Sequence, residues 1–271
     1  MNRQTVQRIG IAGLGAIGQD LALALDKGVP GCRLVAVSAR DQEKAAAFLA
    51  TLKADVKLVG LGELAEHADI VVECAPAELL PSILQPVVAA GKRAVVLSIG
   101  ALLDHPELVE QCRETGAQLM VPTGALIGLD AVTAAAEGTI RSVRMVTRKP
   151  PKGLLGAPFL AERGIDISDL KEPLKLYDGT ARDAAKGFPA NLNVAIALSL
   201  AGIGPDRTTL QVWADPGVVR NTHTIEVESD SALFRMTIEN IPSENPKTGR
   251  ITAKSVIALL RKMSAPLRVG T

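Results

Sequence analysis

Short apolar segments alternate with amphipathic segments over the first 120 residues of the chain. The apolar segments are typical of buried β-strands: residues 9–12, 34–37, 56–59, 70–74, 94–97 and 118–121. The segments between them have the period of amphipathic helices, and after the first strand Ile17, Leu21 and Leu25 share one face. Continuous apolar strands separated by helices predict a parallel sheet covered by helices on both faces, which is a doubly wound α/β fold.

The pattern changes after Pro122, where we place the boundary between two domains. Three later segments largely alternate apolar with polar residues, as antiparallel strands with one solvated or ligand-facing side do: residues 210–214, 223–227 and 232–238. Of the remaining segments, residues 142–148 predict a strand, 149–153 a proline-rich loop and 245–247 a turn. Three helices are predicted at residues 125–136, 190–201 and 252–263.

A glycine motif, Gly13-x-Gly15-x-x-Gly18, follows the first strand directly and opens an amphipathic helix. Gly13 permits a tight turn, Gly15 lets a pyrophosphate approach the backbone, and Gly18 lets the helix pack closely on the strand. The phosphates would then meet the N–H groups of the first helical residues, which include Ala16 and Ile17. A glycine-rich turn without a ligand is the alternative, but the strand–turn–helix context favours a Rossmann-type dinucleotide site.

These patterns predict an α/β chain of two domains. Residues 1–122 form a Rossmann-type dinucleotide-binding domain with a doubly wound parallel sheet. Residues 123–248 form a smaller α+β domain for substrate binding and catalysis, with a largely antiparallel sheet. Residues 249–271 contribute a C-terminal helix that is expected to pack back on the N-terminal domain.

The composition narrows the possible partners of this 271-residue chain. With 30 Lys+Arg against 29 Asp+Glu, it has no general attraction for nucleic acid or anionic lipid. Only 2% of the residues are aromatic, which argues against stacking platforms for bases. The longest apolar stretch, residues 94–103, is far shorter than the ~20 residues of a membrane span, and the N-terminus has no signal-peptide pattern. Three isolated cysteines read as reduced thiols, so we expect a soluble, cytoplasmic protein.

The residues after the second strand bear on the choice between NAD and NADP, because an acid there binds the ribose diol of NAD. Here Ser38 and Arg40 are able to hold a 2′-phosphate, whereas Asp41 comes late and is placed to cap the next helix. A solvated surface position is the alternative for Arg40. We therefore expect that both NAD and NADP are used.

Small residues end the fourth and fifth strands, and they suit a flat nicotinamide ring at the carboxyl edge of the sheet. Cys74 ends the fourth strand and Ala75 follows it, while Ser98 follows the fifth strand. Cys74 is interpreted as an inert thiol, because no neighbouring His or Lys in the sequence would activate it. In the second domain, Asn193 lies in an otherwise apolar helix, where its amide could bond the nicotinamide carboxamide.

The sequence offers three histidines for acid–base chemistry near neutral pH. His67 and His105 lie near predicted helix ends and are interpreted as surface or capping residues. His223 begins an alternating strand in the second domain, where a polar residue on an open strand face is the alternative to a catalytic one. No metal cluster, Ser-His-Asp arrangement or nucleic-acid motif is recognisable in the sequence.

Taken together, motifs along nearly the whole chain resemble the L-aspartate dehydrogenase family. They are Gly13-x-Gly15-x-x-Gly18, Val72-Glu73-Cys74-Ala75, Pro122-Thr123-Gly124-Ala125, Lys149-Pro150-Pro151-Lys152, Phe188-Pro189-x-Asn191-x-Asn193-Val194, Ala214-Asp215-Pro216, Asn221-x-His223 and Glu239-Asn240-Ile241-Pro242-Ser243-x-Asn245-Pro246-Lys247-Thr248. The resemblance implies NAD(P)-dependent oxidation of L-aspartate to iminoaspartate, which water converts to oxaloacetate and ammonia or which enters NAD biosynthesis. It also implies that His223 is catalytic, that Ala125 and Asn193 contact the cofactor, and that the protein is a homodimer.

A dicarboxylate substrate requires cations, which the near-neutral chain must supply locally. We assign this role, as a hypothesis, to some of Lys149, Lys152, Lys186 and Arg220; the alternative for each is an ordinary solvated cation. Two other functions stay open: a homoserine-dehydrogenase-like or dihydrodipicolinate-reductase-like enzyme, and a dinucleotide-sensing protein without turnover.

Overall fold

The computed structural model describes residues 6–189, 192–242 and 249–271. The chain divides into two compact units, Met1–Gly124 with Ala253–Val269 and Ala125–Thr252 with Gly270–Thr271. Asn191 and the turn expected at 245–247 lie outside the described residues.

The first unit contains a six-stranded sheet in which every neighbouring pair is parallel. Its strands are β1 (Gln7–Ala12), β2 (Cys32–Ser38), β3 (Lys57–Leu58), β4 (Ile70–Glu73), β5 (Arg93–Val96) and β6 (Gln118–Met120). Their order is β3-β2-β1-β4-β5-β6, so the direction of winding reverses between β1 and β4. The predicted doubly wound parallel sheet is confirmed, and its ligand crevice is expected at this reversal.

Six α-helices connect these strands. They are α1 (Ala16–Gly28), α2 (Gln42–Leu49), α3 (Leu64–His67), α4 (Leu80–Ala89), α5 (Ile99–Leu102) and α6 (Pro106–Thr115). As predicted, Asp41 caps α2, because its carboxylate accepts the Lys44 N–H at 3.1 Å. Helix α6 begins at Pro106 and ends before Gly116, whose φ of 75° suits glycine.

The inner strands β1, β4 and β5 are buried on both faces, which explains their continuous apolar sequences. In β4, Ile70 and Val72 belong to a core that includes Leu21 of α1, whereas Val71 belongs to a second core with Leu84 of α4. Successive side chains of one strand therefore pack in different cores on opposite faces.

The second unit is built around a five-stranded sheet in the order β11-β10-β7-β9-β8. Its elements are α7 (Leu129–Ala136), β7 (Ile140–Lys149), α8 (Pro158–Arg163), β8 (Leu174–Thr180), α9 (Ala181–Gly187), α10 (Asn193–Ala201), β9 (Thr209–Ala214), β10 (Asn221–Ser229) and β11 (Leu233–Asn240). Strand β10 is antiparallel to β7 and β11, as predicted.

Three features of this unit correct the sequence-based expectations. Strand β9 is antiparallel to β8 but parallel to β7, because the chain returns to the sheet through β8, α9 and α10. Helix α7 begins at Leu129 and not near residue 125. Lys149 is the last residue of β7 and does not belong to a loop, and Pro151–Gly153 form a single 3-10 turn.

The final helix, α11 (Ile251–Ser264), buries one face against the first unit. Val256 and Leu260 lie in the same core as Ile9 and Ile11 of β1. Near the end of the helix, the Ser264 hydroxyl donates to the Pro30 carbonyl oxygen at 2.6 Å. None of the helices in the described ranges is long and apolar enough to cross a membrane.

Candidate active site

Two glycines of the loop between β1 and α1 are required by the packing of the protein itself. Gly13 has a φ of 100°, and a Cβ there would lie 2.7 Å from the Cys74 carbonyl oxygen. A Cβ on Gly18 would lie 2.0 Å from the Gly13 carbonyl oxygen. These positions hold the loop close to the end of β4 and the helix close to the loop.

Gly15 differs from both, because nothing in the described chain requires a glycine there. Its φ is −72°, and no described atom lies within 4 Å of an added Cβ. It stands at the N-cap of α1, which has no capping side chain among the described residues and no acid in its first turn. The amides of Ala16, Ile17 and Gly18 form that turn. This open, uncapped helix start fits the pyrophosphate of a dinucleotide, which needs backbone N–H donors and close approach.

The end of β2 contains the residues expected to distinguish NAD from NADP. Ser38 is buried and Arg40 is exposed. The Lys44 amide hydrogen bond is the main cause that lowers the pKa of Asp41, so this carboxylate is engaged in capping α2. Asp41 therefore serves as the N-cap of α2, whereas Arg40 places an exposed cation at the carboxyl edge of the sheet.

Glu73, the last residue of β4, is a fully buried carboxylate. It accepts four hydrogen bonds: from Ala75 N at 3.1 Å, Leu97 N at 3.0 Å, Ser98 N at 2.7 Å and Ser98 Oγ at 2.9 Å. Burial raises the pKa of Glu73, while the hydrogen bonds from Ser98, Leu97 and Ala75 act in the opposite direction. The carboxylate joins the loops that follow β4 and β5.

Cys74 follows Glu73 at the same edge of the sheet. Burial raises the pKa of the Cys74 thiol well above its ordinary value, and the Glu73 charge acts in the same direction. The neutral thiol is therefore the stable form, which supports its interpretation as an inert residue. Together with Ala75, it offers a small surface beside the glycine loop.

His223 is 3% exposed and lies on the buried face of β10. It stands directly opposite Thr147 of β7, and its Nδ1 lies 3.1 Å from the Thr147 hydroxyl oxygen. Thr147 is itself fully buried. This contact orients the imidazole ring and leaves Nε2 as the nitrogen available for a reacting group.

Lys149 lies on the same face of the sheet as Thr147, two residues further along β7, and is only 3% exposed. Burial, and secondly the charge of Lys149, lower the pKa of His223 to about 3. The imidazole is therefore neutral at ordinary pH, which is the form that accepts a proton. The mixed-sheet unit thus places a neutral base close to a buried cation.

The other predicted substrate cations lie in different surroundings. Lys152 is exposed in the 3-10 turn after β7. Lys186 Nζ lies 3.8 Å from Asp183 Oδ1 on the surface of α9, and Arg220 Nη1 lies 3.5 Å from Glu239 Oε2. Of the four predicted cations, Lys149 is the one that the structure buries near His223.

The resemblance links two residues of the second unit to the cofactor: Asn193, and Ala125 in the loop before α7. Asn193 is the first residue of α10. The carbonyl oxygen of Ala125 accepts a hydrogen bond from Asn240 Nδ2 at 2.9 Å. Asn240 is buried at the end of β11, and it pairs with Asn221 of β10. Polar side chains therefore gather at this end of an otherwise aliphatic sheet face.

Glu73 and Thr147 are absent from the sequence-based list of site residues, although both make buried polar contacts. A lone acid at the end of an apolar strand, directly before small residues, is a signal that points to Glu73. Thr147 gives no such signal, because its contact with His223 depends on the register between β7 and β10.

Acid is expected to destabilise the second unit through His223. The unfolded chain takes up a proton at this residue below pH 6.5, whereas the folded unit keeps it neutral down to about pH 3. The unfolded state thus binds more protons in this window, so the stabilisation is complete above pH 6.5 and decreases as the pH falls towards 3. Between pH 7 and pH 5 we expect the titration of His223 to lower the free energy of unfolding by about 2 kcal/mol.

Urea unfolding followed by the fluorescence of Trp213, the single tryptophan of the sequence, measures this effect, because Trp213 lies on β9 of the same sheet. His223→Asn is the comparison, since every other titrating group is shared. Over this pH range, the free energy of unfolding of the variant should fall by about 2 kcal/mol less than that of the wild type. Equal losses in both proteins would contradict the expected titration.

The fold and the two sets of residues define a class of protein. A Rossmann-type unit with an open cradle for a pyrophosphate shares one chain with a mixed-sheet unit that buries a neutral imidazole. A family model described as the NAD-binding domain of homoserine dehydrogenase matches residues 13–122, and one described as the C-terminal part of aspartate dehydrogenase matches residues 130–263. The protein is a pyridine-nucleotide-dependent oxidoreductase.

Proteins of known name are similar in sequence to this chain over almost its whole length. An L-aspartate dehydrogenase of Bordetella bronchiseptica is 68% identical, with 97% of each chain covered. One of Bradyrhizobium diazoefficiens is 63% identical over 97% of this chain and 94% of its own. The chain belongs to the L-aspartate dehydrogenase family, as its motifs indicated.

The solved structures agree with this assignment at the level of the fold. The crystal structure of aspartate dehydrogenase from Thermotoga maritima superposes with a TM-score of 0.71 at 23% identity, and covers 97% of this chain and 99% of its own.

Proposed function

We propose that this protein catalyses the reversible NAD(P)-dependent oxidation of L-aspartate to iminoaspartate, which water converts to oxaloacetate and ammonia. The observation that carries the proposal is the pair of buried residues on one sheet face, neutral His223 and Lys149, in a chain of this family. A base and a cation are what a carboxylate-bearing amine needs for oxidation at its α-carbon.

The first unit would hold the dinucleotide. The loop from Gly13 to Gly18 would bind the pyrophosphate through the first amides of α1. When bound, the nicotinamide supplies the acceptor for the hydride that leaves the substrate α-carbon. Ala125 and Asn193 are proposed as further cofactor contacts, on the basis of the family resemblance. The protein itself must supply orientation and proton transfer.

His223 is proposed to move the protons. The α-ammonium group of aspartate has to lose a proton before its nitrogen lone pair can assist departure of the hydride. Nε2 of the neutral imidazole accepts that proton when Nδ1–H donates to the Thr147 hydroxyl oxygen, which is 3.1 Å away. Once the imidazolium has released that proton to solvent, the same nitrogen accepts a proton from the water that attacks the imine carbon. Thr147 is thus a positioning residue that selects the tautomer.

Lys149 is proposed to bind a substrate carboxylate. Its ammonium group is buried on the face that carries His223, and it is close enough to lower the pKa of that imidazole. A carboxylate beside it would offset the positive charge and stabilise the imidazolium that forms during proton transfer. The role of Lys152, Lys186 and Arg220 in binding the second carboxylate remains a prediction.

We further propose that both NAD and NADP serve as cofactor. The exposed Arg40 is available for a 2′-phosphate, and the first acid after β2, Asp41, is engaged at the start of α2. Without that acid the ribose diol of NAD lacks its strongest partner, but its binding does not depend on that partner alone.

An assay of reduced nicotinamide formation tests the proposed function directly. The purified protein is incubated with L-aspartate and either NAD or NADP, and in the reverse direction with oxaloacetate, ammonia and reduced cofactor. Homoserine and dihydrodipicolinate serve as competing substrates. Turnover of aspartate with both cofactors is the expected result. Turnover of another substrate alone, or cofactor binding without any turnover, would establish one of the alternative functions instead.

Replacing Lys149 by Met is expected to raise the KM for aspartate about 100-fold, because a buried charged partner of the substrate carboxylate is lost. The Kd for reduced cofactor should stay within twofold. Steady-state kinetics and fluorescence titration give the two values. Lys149→Arg keeps the cation and should recover part of the affinity for aspartate.

Lys175→Met is the matched control, because Lys175 is a cation of the same sheet that pairs with Asp178 at 2.8 Å on the surface. Its KM for aspartate should equal that of the wild type. If Lys149→Met had the same KM as this control, Lys149 would have no part in binding the carboxylate.

The homodimer and a role of iminoaspartate in NAD biosynthesis remain predictions of the family resemblance, and the cytoplasmic location remains a prediction from the sequence. Light scattering of the purified protein would give its mass in solution, which tests the first of them.

A further inference from the structure

We propose that Glu73 is a positioning residue that holds the nicotinamide half of the dinucleotide site in its binding conformation. The inference rests on the proposed cofactor binding and assigns a function to a side chain that does not itself contact the cofactor. Its basis is the juxtaposition of the buried carboxylate with the two loops that end β4 and β5.

The position of Glu73 in the sheet places it at the ligand-binding edge. It is the last residue of β4 and pairs with Ala12, the last residue of β1, and with Val96, the last residue of β5. The winding reverses between β1 and β4, where a dinucleotide crosses from one half of the sheet to the other. The loops after β4 and β5 belong to the second half, which receives the nicotinamide side.

Each oxygen of the carboxylate holds part of these loops. Oε2 accepts the amides of Leu97 and Ser98, while Oε1 accepts the Ala75 amide and the Ser98 hydroxyl. The loop after β4 also touches the glycine loop, since Gly13 lies against the Cys74 carbonyl group. One buried side chain therefore sets the relative position of the two loops that face the nicotinamide side.

The chemistry of the site requires an ionised carboxylate and not merely a polar residue. Three of the four donors are backbone N–H groups, which cannot turn into acceptors. A glutamine has one oxygen and one NH₂ group, so its NH₂ group would face at least one N–H donor. The Glu73→Gln variant keeps the volume of the side chain but releases one loop, which is a selective perturbation.

The experiment compares two ligands on the full-length protein. NADH carries the nicotinamide, whereas ADP-ribose lacks that ring and keeps the adenosine, the pyrophosphate that the glycine loop would bind and the second ribose. Calorimetry gives both Kd values for the wild type and for Glu73→Gln. We expect the variant to bind NADH about tenfold more weakly and ADP-ribose within twofold of the wild type.

Asp69→Asn is the matched control. Asp69 precedes β4 at the opposite edge of the sheet and also accepts several hydrogen bonds, all from Arg8. The Asp69→Asn variant makes the same exchange of carboxylate for amide, but away from the ligand-binding edge. Its affinities for NADH and ADP-ribose should therefore equal those of the wild type. Ser98→Ala keeps Glu73 and removes only the hydrogen bond from the hydroxyl group. It should weaken the binding of NADH about threefold and leave the binding of ADP-ribose unchanged.

The outcomes separate the inference from the proposed function. Failure of the wild type to bind NADH would overturn the proposed function and the inference with it. Normal binding of NADH by Glu73→Gln, or an equal loss of both ligands, would overturn the inference alone. If Glu73→Gln does not fold, the selectivity of Ser98→Ala decides the question in the same way.

Discussion

Replacing His223 by Asn is expected to lower kcat for aspartate oxidation about 1,000-fold, because the reaction loses its proton acceptor. The imidazole is neutral, buried and oriented by Thr147, so no solvent group takes over its role efficiently. Asn has a similar polarity and a smaller volume, and its amide is able to bond Thr147. The Kd for NADH should remain that of the wild type, since no proton moves during cofactor binding.

Stopped-flow measurement of NADH formation in a single turnover checks this expectation, because it separates the chemical step from product release. His105→Asn is the matched control: His105 bonds Glu107 at 2.9 Å on the surface, and its loss should leave kcat unchanged. Thr147→Val keeps the imidazole but removes its hydrogen-bonding partner, so a smaller loss of kcat is expected. If His223→Asn retained normal turnover, the mechanism proposed here would be wrong.

Replacing Gly15 by Val is expected to weaken cofactor binding about 100-fold while the protein keeps its stability. The backbone at Gly15 has a φ that any residue adopts, and an added Cβ meets no described atom within 4 Å. The main effect of the valine is therefore that it occupies the space through which the pyrophosphate reaches the amides of α1, while as a poorer N-cap it costs the helix little. Fluorescence titration with NADH and thermal unfolding measure the two quantities.

A glycine three residues later provides the opposite control. In Gly18→Ala, the new Cβ would lie 2.0 Å from the Gly13 carbonyl oxygen, so the variant should lose about 1–3 kcal/mol of stability through overpacking. Gly15→Ala should give a smaller loss of affinity than Gly15→Val, with an unchanged unfolding temperature. Normal NADH binding by Gly15→Val would show that no pyrophosphate binds at this helix start.

The fold of the first unit follows closely from the sequence. Its inner strands are buried on both faces and its longer helices on one, so these elements leave a local pattern of apolar residues. The spacing of Gly13, Gly15 and Gly18 after a strand also identified the helix start that fits a pyrophosphate. Such signals are local, because each depends on residues within about one turn or one strand.

In the second unit, the prediction was less complete for a physical reason. Residues 154–189 contain α8, β8 and α9, none of which was predicted from the apolar pattern. Strand β9 has the alternation of a strand with one solvated face, but this pattern is the same for parallel and antiparallel neighbours. Direction within a sheet depends on how the chain returns to it, which periodicity does not encode.

The candidate site was likewise predicted only in part from the sequence. The sequence and the family resemblance point to His223 among the three histidines, but nothing in the sequence distinguishes Lys149 from Lys152, Lys186 or Arg220. The extension of β7 through residue 149 is what buries this lysine on the face of His223. Burial then lowers the pKa of the imidazole and makes it a neutral base.

The sequence by itself determined the doubly wound unit, the glycine loop and the family, because these depend on local spacing and on residue identity. Only the tertiary structure decided that Thr147 contacts His223 and that Glu73 joins the loops after β4 and β5. Both contacts link residues that are distant in the chain, 76 and 25 positions apart. Strand periodicity tells which face a side chain occupies, but its neighbour across the sheet is fixed only when the strands pair.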